Sequence, residues 1–354
     1  MKKIKVAVFF GGCSSEYHVS LESAYSVLQN LNPRKYDVFP IGISQSGKWF
    51  YFTGNTELIK NDRWQNERDC IPAILSPNRE KHQLILFSGS KPETIALDAA
   101  FPVMHGKYGE DGTLQGYIEM TGIPLVGCGV LSSALCMDKN RAHKLASLAG
   151  VSVPKSLCIQ VSYDRQQAAA FAECAGYPIF VKPVKAGSSY GVTRAEDISS
   201  LFSAIDTAFS YDNEVIIEEA IDGFEVGCAV MGYEKLTVGE VDEIELSGGF
   251  FDYTEKYTLM SSTIYVPARI PKETAERIKE TAKTLYRALG CCGFARVDLF
   301  LTPEGKLFFN EINTIPGFTE HSRFPGMMKA AGLPFSKLLD TLILAAIDNN
   351  RLTF

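Results

Sequence analysis

The chain has 354 residues, which suggests two or three domains at about 150 residues each. Hydrophobic residues make up 46% of the sequence and charged residues 21%, so the chain can bury large cores and is not intrinsically disordered. With 35 Lys and Arg against 41 Asp and Glu, the net charge of −6 argues against a nucleic-acid partner held by a basic surface. No apolar run approaches the roughly 18 residues of a membrane span, so we expect no membrane insertion.

The first apolar run and the cysteines both favour a cytoplasmic protein. Val6–Phe10 is shorter than the roughly 7–15 apolar residues of a signal peptide, and a buried strand explains it better. The nine cysteines are odd in number and form no C-x-x-C pair, which is typical of reduced core thiols.

Residues 1–127 read as an open parallel α/β domain. A strand is predicted at Ile4–Phe10, and the apolar spacing of the next residues predicts a helix that ends at Asn32-Pro33. A second strand follows at Tyr36–Ile43. A later strand, Ala96–Val103, runs into the polar loop His105–Gly112. Ligands of such sheets bind where parallel strands end, which places Glu16 and His105 at one edge. The alternative for the loop is a capped helix start, and for His105 a structural histidine.

Residues 128–217 and 218–354 read as two further α+β units. The central unit has a helix ending at Gly150, a strand at Tyr177–Val181 and a strand at Val215–Glu219. The C-terminal unit is rich in strands, has an amphipathic helix at Glu273–Leu289 and ends in a helical tail from Leu333.

A glycine and serine loop follows the central strand. It runs from Lys182 to Gly191, and its N–H groups could converge on a phosphate, with Lys182 supplying charge at the strand end. It is neither a Walker A loop nor a Rossmann fingerprint. The loop also matches G-x-S-x-G around Ser189, but a nucleophile elbow needs the serine directly at a strand-to-helix turn. A plain surface loop remains an open alternative.

Three acids near the next strand could accept hydrogen bonds from a nucleotide. Glu218 and Glu219 end the strand, and Glu225 follows shortly after. A ribose diol and an exocyclic amine both need such acceptors, although acids on the surface at strand ends explain the pattern about equally well.

The final hairpin carries the strongest signal of a metal site. With Glu304 and Gly305 as its two loop residues, Asp298 lies opposite Glu311 and Arg296 opposite Asn313, all on one face. Opposed carboxylates repel, so a sheet avoids them unless a cation lies between, and these oxygens suit Mg²⁺. The alternative is a solvated face on which Arg296 neutralises both acids.

Taken together, these motifs resemble the D-alanine–D-alanine ligases and their vancomycin-resistance relatives, which are ATP-grasp enzymes. The resemblance spans nearly the whole chain. It rests on GGCSSEYHVSLESA (11–24), HGKYGEDGTLQG (105–116), GVLSSALCMDKNRAHK (129–144), VKPVKAGSSYGV (181–192), EEAIDGFEVG (218–227), FFDYTEKYT (250–258), GFARVDLF (293–300) and NEINTIPGFTEHSRFP (310–325).

The resemblance implies an α/β protein of the ATP-grasp fold, with an N-terminal open parallel α/β domain, a central α+β domain and a C-terminal α+β domain. ATP would bind between the last two. It also implies that ATP phosphorylates the carboxylate of D-alanine, and that the amine of a second D-amino acid, D-serine or D-alanine, attacks the acyl phosphate. The implied cofactors are ATP and two Mg²⁺ ions, with Mn²⁺ as a substitute, and the implied assembly is a homodimer.

The resemblance also implies roles for individual residues. Catalytic roles are implied for Glu16, Ser188, Arg296 and Gly317; substrate binding for Glu16, His105, Lys256, Tyr257, Ser322 and Arg323; ATP binding for Lys139, Lys182, Ser188, Ser189, Glu218, Glu219, Glu225 and Lys256; and metal binding for Asp298, Glu311 and Asn313.

For the second substrate, the segments FFDYTEKYT and HSRFP resemble the VanG type of D-alanine–D-serine ligase. The D-lactate-using relatives carry a histidine in that lid, whereas this chain has Lys256-Tyr257, which favours an amine nucleophile. Glu320 stands where relatives often have a small residue, and Met260 where the VanG type has lysine. We therefore predict D-serine, with D-alanine as the alternative.

Overall fold

The structure is a computed structural model that describes residues 2–66, 68–246 and 262–352. The strands of the described part are β1 Ile4–Gly11, β2 Tyr36–Ile43, β3 Trp49–Phe52, β4 Cys70–Leu75, β5 Gln83–Leu86, β6 Glu93–Ala96, β7 Ala99–Pro102, β8 Ser156–Gln160, β9 Ile179–Pro183, β10 Thr193–Ala195, β11 Glu214–Glu219, β12 Phe224–Gly232, β13 Leu236–Leu246, β14 Ser262–Tyr265, β15 Gly293–Leu301 and β16 Leu307–Asn313. The helices are α1 Tyr17–Asn30, α2 Glu57–Lys60, α3 Thr113–Thr121, α4 Val130–Met137, α5 Lys139–Leu148, α6 Arg165–Ala175, α7 Ile198–Phe209, α8 Lys272–Ala288, α9 Arg323–Ala330 and α10 Phe335–Leu352.

The N-terminal sheet has seven strands in the order β6-β5-β4-β3-β2-β1-β7. Strand β1 pairs in parallel with β2 and β7, as the β-α-β pattern predicts, and Val6–Phe10 are fully buried at its centre. The successive pairs from β2 to β6 are antiparallel, so the sheet is mixed rather than wholly parallel. Antiparallel strands can be joined by short loops without a crossover helix, and the loop between β2 and β3 spans only residues 44–48.

Two antiparallel sheets follow. The central sheet has the order β10-β9-β11-β8, and the C-terminal sheet has the order β14-β13-β12-β15-β16. The α/β fold class agrees with the sequence prediction, and the described residues form three sheets. Strand β11 spans the predicted boundary between residues 217 and 218 and pairs along its length with β8 and β9. We therefore propose that the central and C-terminal domains divide in the turn 220–223.

Helices with one apolar face cover the C-terminal sheet. The buried residues of α8 are Ile278, Ala282, Leu285 and Tyr286, which recur at helical spacing and pack against the apolar face of β12 and β15. Helices α9 and α10 share a core with β1 and β7, so the C-terminal end of the chain joins the two outer sheets.

In the described part of the chain, no single helix is long and apolar enough to cross a membrane. The consecutive helices Arg323–Ala330 and Phe335–Asn350, bent by 100°, meet the length and composition criteria only as a pair.

Candidate active site

The β15–β16 hairpin has the predicted register where the charged residues lie. Arg296 pairs with Asn313 and Asp298 pairs with Glu311, so the predicted pairs are confirmed. The register results from two local features, one at the turn and one in the middle of β16.

The turn is longer than predicted. Thr302 N–H donates to Lys306 O (3.0 Å), which leaves three residues, 303–305, in the loop instead of two, with Gly305 at φ +79°. This shifts the pairing by one residue near the turn. Asn310 of β16 has no partner, because Asp298 pairs with Glu311 and Leu299 with Phe309. This one-residue bulge returns the pairing to the predicted register at the charged residues. The extra residue in the turn and the extra residue in the bulge therefore compensate.

Each of the two acids of the hairpin has its own cationic neighbour. Asp298 is buried and receives hydrogen bonds from Arg296 Nη2 (2.6 Å) and Asn313 Nδ2 (2.9 Å). Glu311 Oε2 lies 3.8 Å from Lys139 Nζ. Burial opposes the charge of Arg296, but the adjacent Asp298 raises the pKa of the guanidinium overall. Arg296 thus neutralises Asp298, as the alternative to a metal site predicted, whereas Glu311 faces a lysine.

The donor chemistry of the hairpin also fits a divalent cation. Asp298, Glu311 and Asn313 offer carboxylate and amide oxygens, which are hard ligands suited to Mg²⁺. In the described residues, no group of three or more His, Cys, Asp or Glu side chains is arranged to hold an ion alone. A Mg²⁺ site of this kind therefore needs phosphate oxygens and water to complete its coordination.

A cavity of about 450 Å³ lies between the central and C-terminal sheets. It brings together seven residues that the sequence analysis assigned to ATP or metal: Lys139, Lys182, Ser189, Glu218, Glu219, Glu225 and Glu311. Its apolar lining includes Phe180, Ile244 and Phe300, which the sequence analysis did not single out. Strand alternation would have placed Phe180 and Phe300 on the face of their charged neighbours. The cavity has the mixed apolar and polar character of a small-molecule site.

Both lysines of the cavity have partners within the protein. Lys182 Nζ lies 2.6 Å from Glu218 Oε2, and Lys139 Nζ donates to Ala186 O (2.7 Å). Burial raises the pKa of Glu218, but the charges of Lys182 and His143 lower it further than burial raises it. Glu218 is therefore held as a carboxylate, which can accept hydrogen bonds from a ligand.

The other two predicted nucleotide acids are already engaged. Glu219 accepts a hydrogen bond from Lys155 N (2.9 Å), and Glu225 Oε1 accepts one from Arg323 Nη1 (2.6 Å). Arg323 is only 8% exposed and binds Asp242 through Nε (2.7 Å) and Nη2 (2.9 Å). Asp242, which the sequence analysis missed, is fully buried and anchors this guanidinium.

Glu16 lies where the N-terminal sheet meets the loop after β9. It is 6% exposed, and Ser188 donates a hydrogen bond to it, so two predicted residues 172 positions apart meet. Two glycines allow this approach, because a Cβ at Gly106 or Gly187 would lie 2.4 or 2.7 Å from Glu16 Oε2. Ser188 and Ser189 have φ of +49° and +58°, a strained backbone of the kind found at ligand sites.

Glu110 is a second acid of this region that the sequence analysis quoted in a motif without a role. Burial and the neighbouring charge of Glu16 raise the pKa of Glu110 well above its usual value. Glu311 adds to this effect, and Lys139 opposes it. Its position within the HGKYGED segment gives no signal that separates this buried acid from an exposed one.

His105 holds the loop that carries Gly317. Its Nδ1 lies 2.9 Å from Ile315 O, so Nδ1–H donates to that carbonyl, and its Nε2 lies 3.2 Å from Ser23 Oγ. Burial, opposed by the Ile315 hydrogen bond and aided by the charge of Arg296, lowers the pKa of His105 to about 4. The ring is therefore neutral near pH 7 and serves as a fixed donor.

This shift predicts acid sensitivity. Because His105 titrates near 4 in the folded chain and near 6.5 when unfolded, the unfolded state binds more protons between these values. Stability is therefore lost as the pH falls through this window. We expect the free energy of unfolding to fall by roughly 2–3 kcal/mol more for the wild type than for His105→Asn between pH 7 and 4, measured by urea titration. If the free energy of unfolding fell equally with pH in the two proteins, the lowered pKa of His105 would be contradicted.

The remaining predicted residues lie at the end of this loop or outside the described residues. Ser322 Oγ accepts from Thr319 N (3.0 Å) and lies 3.0 Å from the position that a Cβ on Gly317 would take. Gly317 and Ser322 are therefore adjacent, near the buried Arg323. Lys256 and Tyr257 lie outside the described residues, as do segment 250–258 and Met260.

Comparison with known proteins finds, over nearly the whole chain, the family that the sequence motifs resemble. Residues 5–128 match the family model of the D-ala D-ala ligase N-terminus, and residues 145–344 match that of the D-ala D-ala ligase C-terminus. The chain is 48% identical to the vancomycin B-type resistance protein VanB of Enterococcus faecalis, over 98% of this chain and 100% of the relative. It is 44% identical to a D-alanine–D-alanine ligase of Caldicellulosiruptor bescii, over 99% of this chain and 97% of the relative.

Among solved structures, the crystal structure of VanG D-Ala:D-Ser ligase from Enterococcus faecalis superposes with a TM-score of 0.89 and 55% identity, covering 98% of this chain and 100% of that one. The D-alanine–D-alanine ligase from Coxiella burnetii gives a TM-score of 0.87 at 30% identity, covering 100% and 96%. The family models, the similar sequences and the similar folds all point to one family. The chain belongs to the D-alanine–D-alanine ligase family of ATP-grasp enzymes.

Proposed function

We propose that this chain is an ATP-dependent D-alanine–D-serine ligase, which makes a dipeptide for peptidoglycan precursors of the vancomycin-resistance type through a D-alanyl phosphate. The observation that carries the proposal is the convergence of Lys139, Lys182, Glu218 and Glu311 on one cavity beside Glu16 and Arg296. This arrangement offers a phosphate-binding end, a metal-binding face and an acid that can hold an ammonium group.

In the first half-reaction, the D-alanine carboxylate attacks the γ-phosphorus of ATP, the bond from that phosphorus to the β,γ-bridging oxygen breaks, and ADP leaves. We propose that Glu16 holds the ammonium of D-alanine, because its carboxylate is buried and faces the loop of Ser188. Lys139 and Lys182 bind phosphate oxygens, which orients the γ-phosphate in line with the attacking oxygen. Mg²⁺ held by Asp298, Glu311 and Asn313 would neutralise phosphate charge when bound.

In the second half-reaction, the amine of the second substrate attacks the carbonyl carbon of the acyl phosphate, and the carbonyl oxygen of the tetrahedral intermediate takes up the negative charge. The carbonyl then re-forms as the bond to phosphate breaks, and the nitrogen loses a proton to leave the amide. We propose that Arg296 and the N–H of Gly317 stabilise the negative charge of the intermediate, worth roughly 3 kcal/mol each as at other oxyanion sites. His105 supports this step indirectly, because it fixes the carbonyl of Ile315 in the same loop.

Two observations favour D-serine as the second substrate. VanG, with which the chain is 55% identical, is named a D-Ala:D-Ser ligase. Ser322, which we propose faces the second substrate beside Gly317, offers a hydroxyl group for the carboxylate or side-chain hydroxyl of that substrate, and Arg323, bound to Asp242 and Glu225, holds the adjacent backbone in place. The D-alanine–D-alanine ligase of C. bescii, at 44% identity, keeps D-alanine as the alternative.

A competition assay tests the substrate. We expect ATP, Mg²⁺ and equal D-alanine and D-serine to give mainly D-Ala–D-Ser, quantified by mass spectrometry. A preference of about tenfold to a hundredfold is reasonable, because one hydroxyl is a small difference for a binding pocket. Predominant D-Ala–D-Ala would show the alternative substrate and leave the reaction class intact. Phosphate release with bicarbonate but not with D-alanine would instead indicate a carboxylase.

A further inference from the structure

A buried histidine connects the nucleotide cavity to the hairpin. His143 lies four residues after Lys139 on α5, so both side chains project from one face of the helix. Its Nε2 lies 2.9 Å from the carbonyl oxygen of Asn310, and its Nδ1 lies 3.5 Å from Glu218 Oε1. A carbonyl only accepts hydrogen bonds, so Nε2–H is the donor and Nδ1 faces the carboxylate.

The contact with Asn310 fixes the bulge of the hairpin. Asn310 is the extra residue of β16, and Glu311 follows it directly. A one-residue slip of a strand turns every side chain to the opposite face. The hydrogen bond from His143 holds the backbone of the bulge in place, and it thereby keeps Glu311 on the face of Asp298 and Lys139.

The second contact of His143 is with the buried carboxylate of Glu218, whose two oxygens face different partners. Lys182 binds Glu218 Oε2, whereas in the described part of the chain neither Glu218 Oε1 nor His143 Nδ1 has a hydrogen-bond partner by strict geometry. These two atoms face each other, and Phe309 packs edge-on against the imidazole at 5.5 Å between ring centroids. A carboxylate oxygen only accepts hydrogen bonds, so Nδ1 constrains Glu218 as an N–H donor, which is the form in which the charge of His143 lowers the pKa of Glu218.

We propose that His143 is a positioning residue for nucleotide binding: it orients the Glu218 carboxylate toward the cavity and fixes the bulge that presents Glu311. The assignment of the ligand as a nucleotide rests on the proposed function. A merely structural histidine in the same place would contribute to folding stability without affecting affinity for the nucleotide.

Three variants and one control test this role in the full chain. His143→Leu removes both contacts, His143→Gln keeps a donor near the Nε2 position, and His143→Asn keeps a polar atom near the Nδ1 position. Lys144→Gln, an exposed neighbour on the same helix, is the control. The measurements are the Kd for the non-hydrolysable ATP analogue AMPPNP with Mg²⁺, the KM values for ATP and D-alanine, kcat, and the Tm.

We expect His143→Leu to raise the Kd for AMPPNP and the KM for ATP about tenfold, with the KM for D-alanine unchanged, as for loss of hydrogen bonds to charged groups. His143→Gln and His143→Asn should each recover part of this loss, and they decide the question if His143→Leu does not fold. A lower Tm with a Kd for AMPPNP that matches the control would overturn the proposal. Since AMPPNP binding needs no turnover, a wild type that binds AMPPNP but forms no dipeptide would overturn only the proposed function.

Discussion

We expect Glu311→Gln to lower kcat about a thousandfold or more, because it removes one of the two carboxylates available to a divalent cation. Glu311 faces Lys139 at the cavity rather than a buried guanidinium, so the variant should keep its fold. Asp298→Asn should reduce kcat at least as strongly. It also leaves Arg296 and Arg323 without a full counter-charge, which costs stability of about 3–5 kcal/mol when a buried pair is broken.

Initial rates of ADP release at several Mg²⁺ concentrations check this prediction. Glu304→Gln is the matched control, because Glu304 lies in the exposed turn of the same hairpin. The control should keep wild-type kcat. If folded Glu311→Gln and Asp298→Asn both turned over at the wild-type rate, the hairpin would not be the metal-binding face.

We expect Arg296→Lys to lower kcat about a hundredfold to a thousandfold while the KM for ATP changes little, as for loss of an oxyanion donor. The substitution keeps the positive charge beside Asp298 but replaces the planar fork that contacts both carboxylate oxygens through Nε and Nη2. The effect should therefore be specific to the donor geometry and not to charge.

Steady-state kinetics with D-alanine and D-serine check the second prediction. Arg277→Lys is its control, since Arg277 is an exposed arginine on α8 that binds Gly305 O outside the cavity. A folded Arg296→Lys enzyme with wild-type kcat would remove Arg296 from the stabilisation of the tetrahedral oxyanion. A raised KM for ATP with unchanged kcat would assign it to nucleotide binding instead.

The sequence predicted the hairpin pairs correctly because two deviations from the predicted register cancel. The predicted two-residue turn was wrong, yet Asp298 and Glu311 still pair, since the extra turn residue is offset by the bulge at Asn310. Neither feature has a signature in the sequence strong enough to predict it alone. The predicted strand pairing is therefore correct at the charged residues and wrong by one residue near the turn.

Contacts between distant elements were beyond the sequence analysis. Spacing along the chain could not pair Arg323 with Asp242, 81 residues apart, or His143 with the carbonyl of Asn310, 167 residues apart. The antiparallel strands β3–β6 were missed for a related reason, because the pairing partner of a short strand depends on loop geometry. By contrast, the helix of residues 272–288 was predictable, since its apolar spacing reports its buried face directly.

Transfer of oxygen from substrate to phosphate tests the central chemical claim most directly. D-alanine labelled with ¹⁸O in its carboxylate is incubated with ATP, Mg²⁺ and D-serine, and the released phosphate is analysed by mass spectrometry. If the carboxylate attacks the γ-phosphorus and phosphate later leaves the acyl carbon, each phosphate carries one ¹⁸O and the nucleotide product is ADP. Unlabelled phosphate, or AMP with pyrophosphate, would contradict activation through a D-alanyl phosphate.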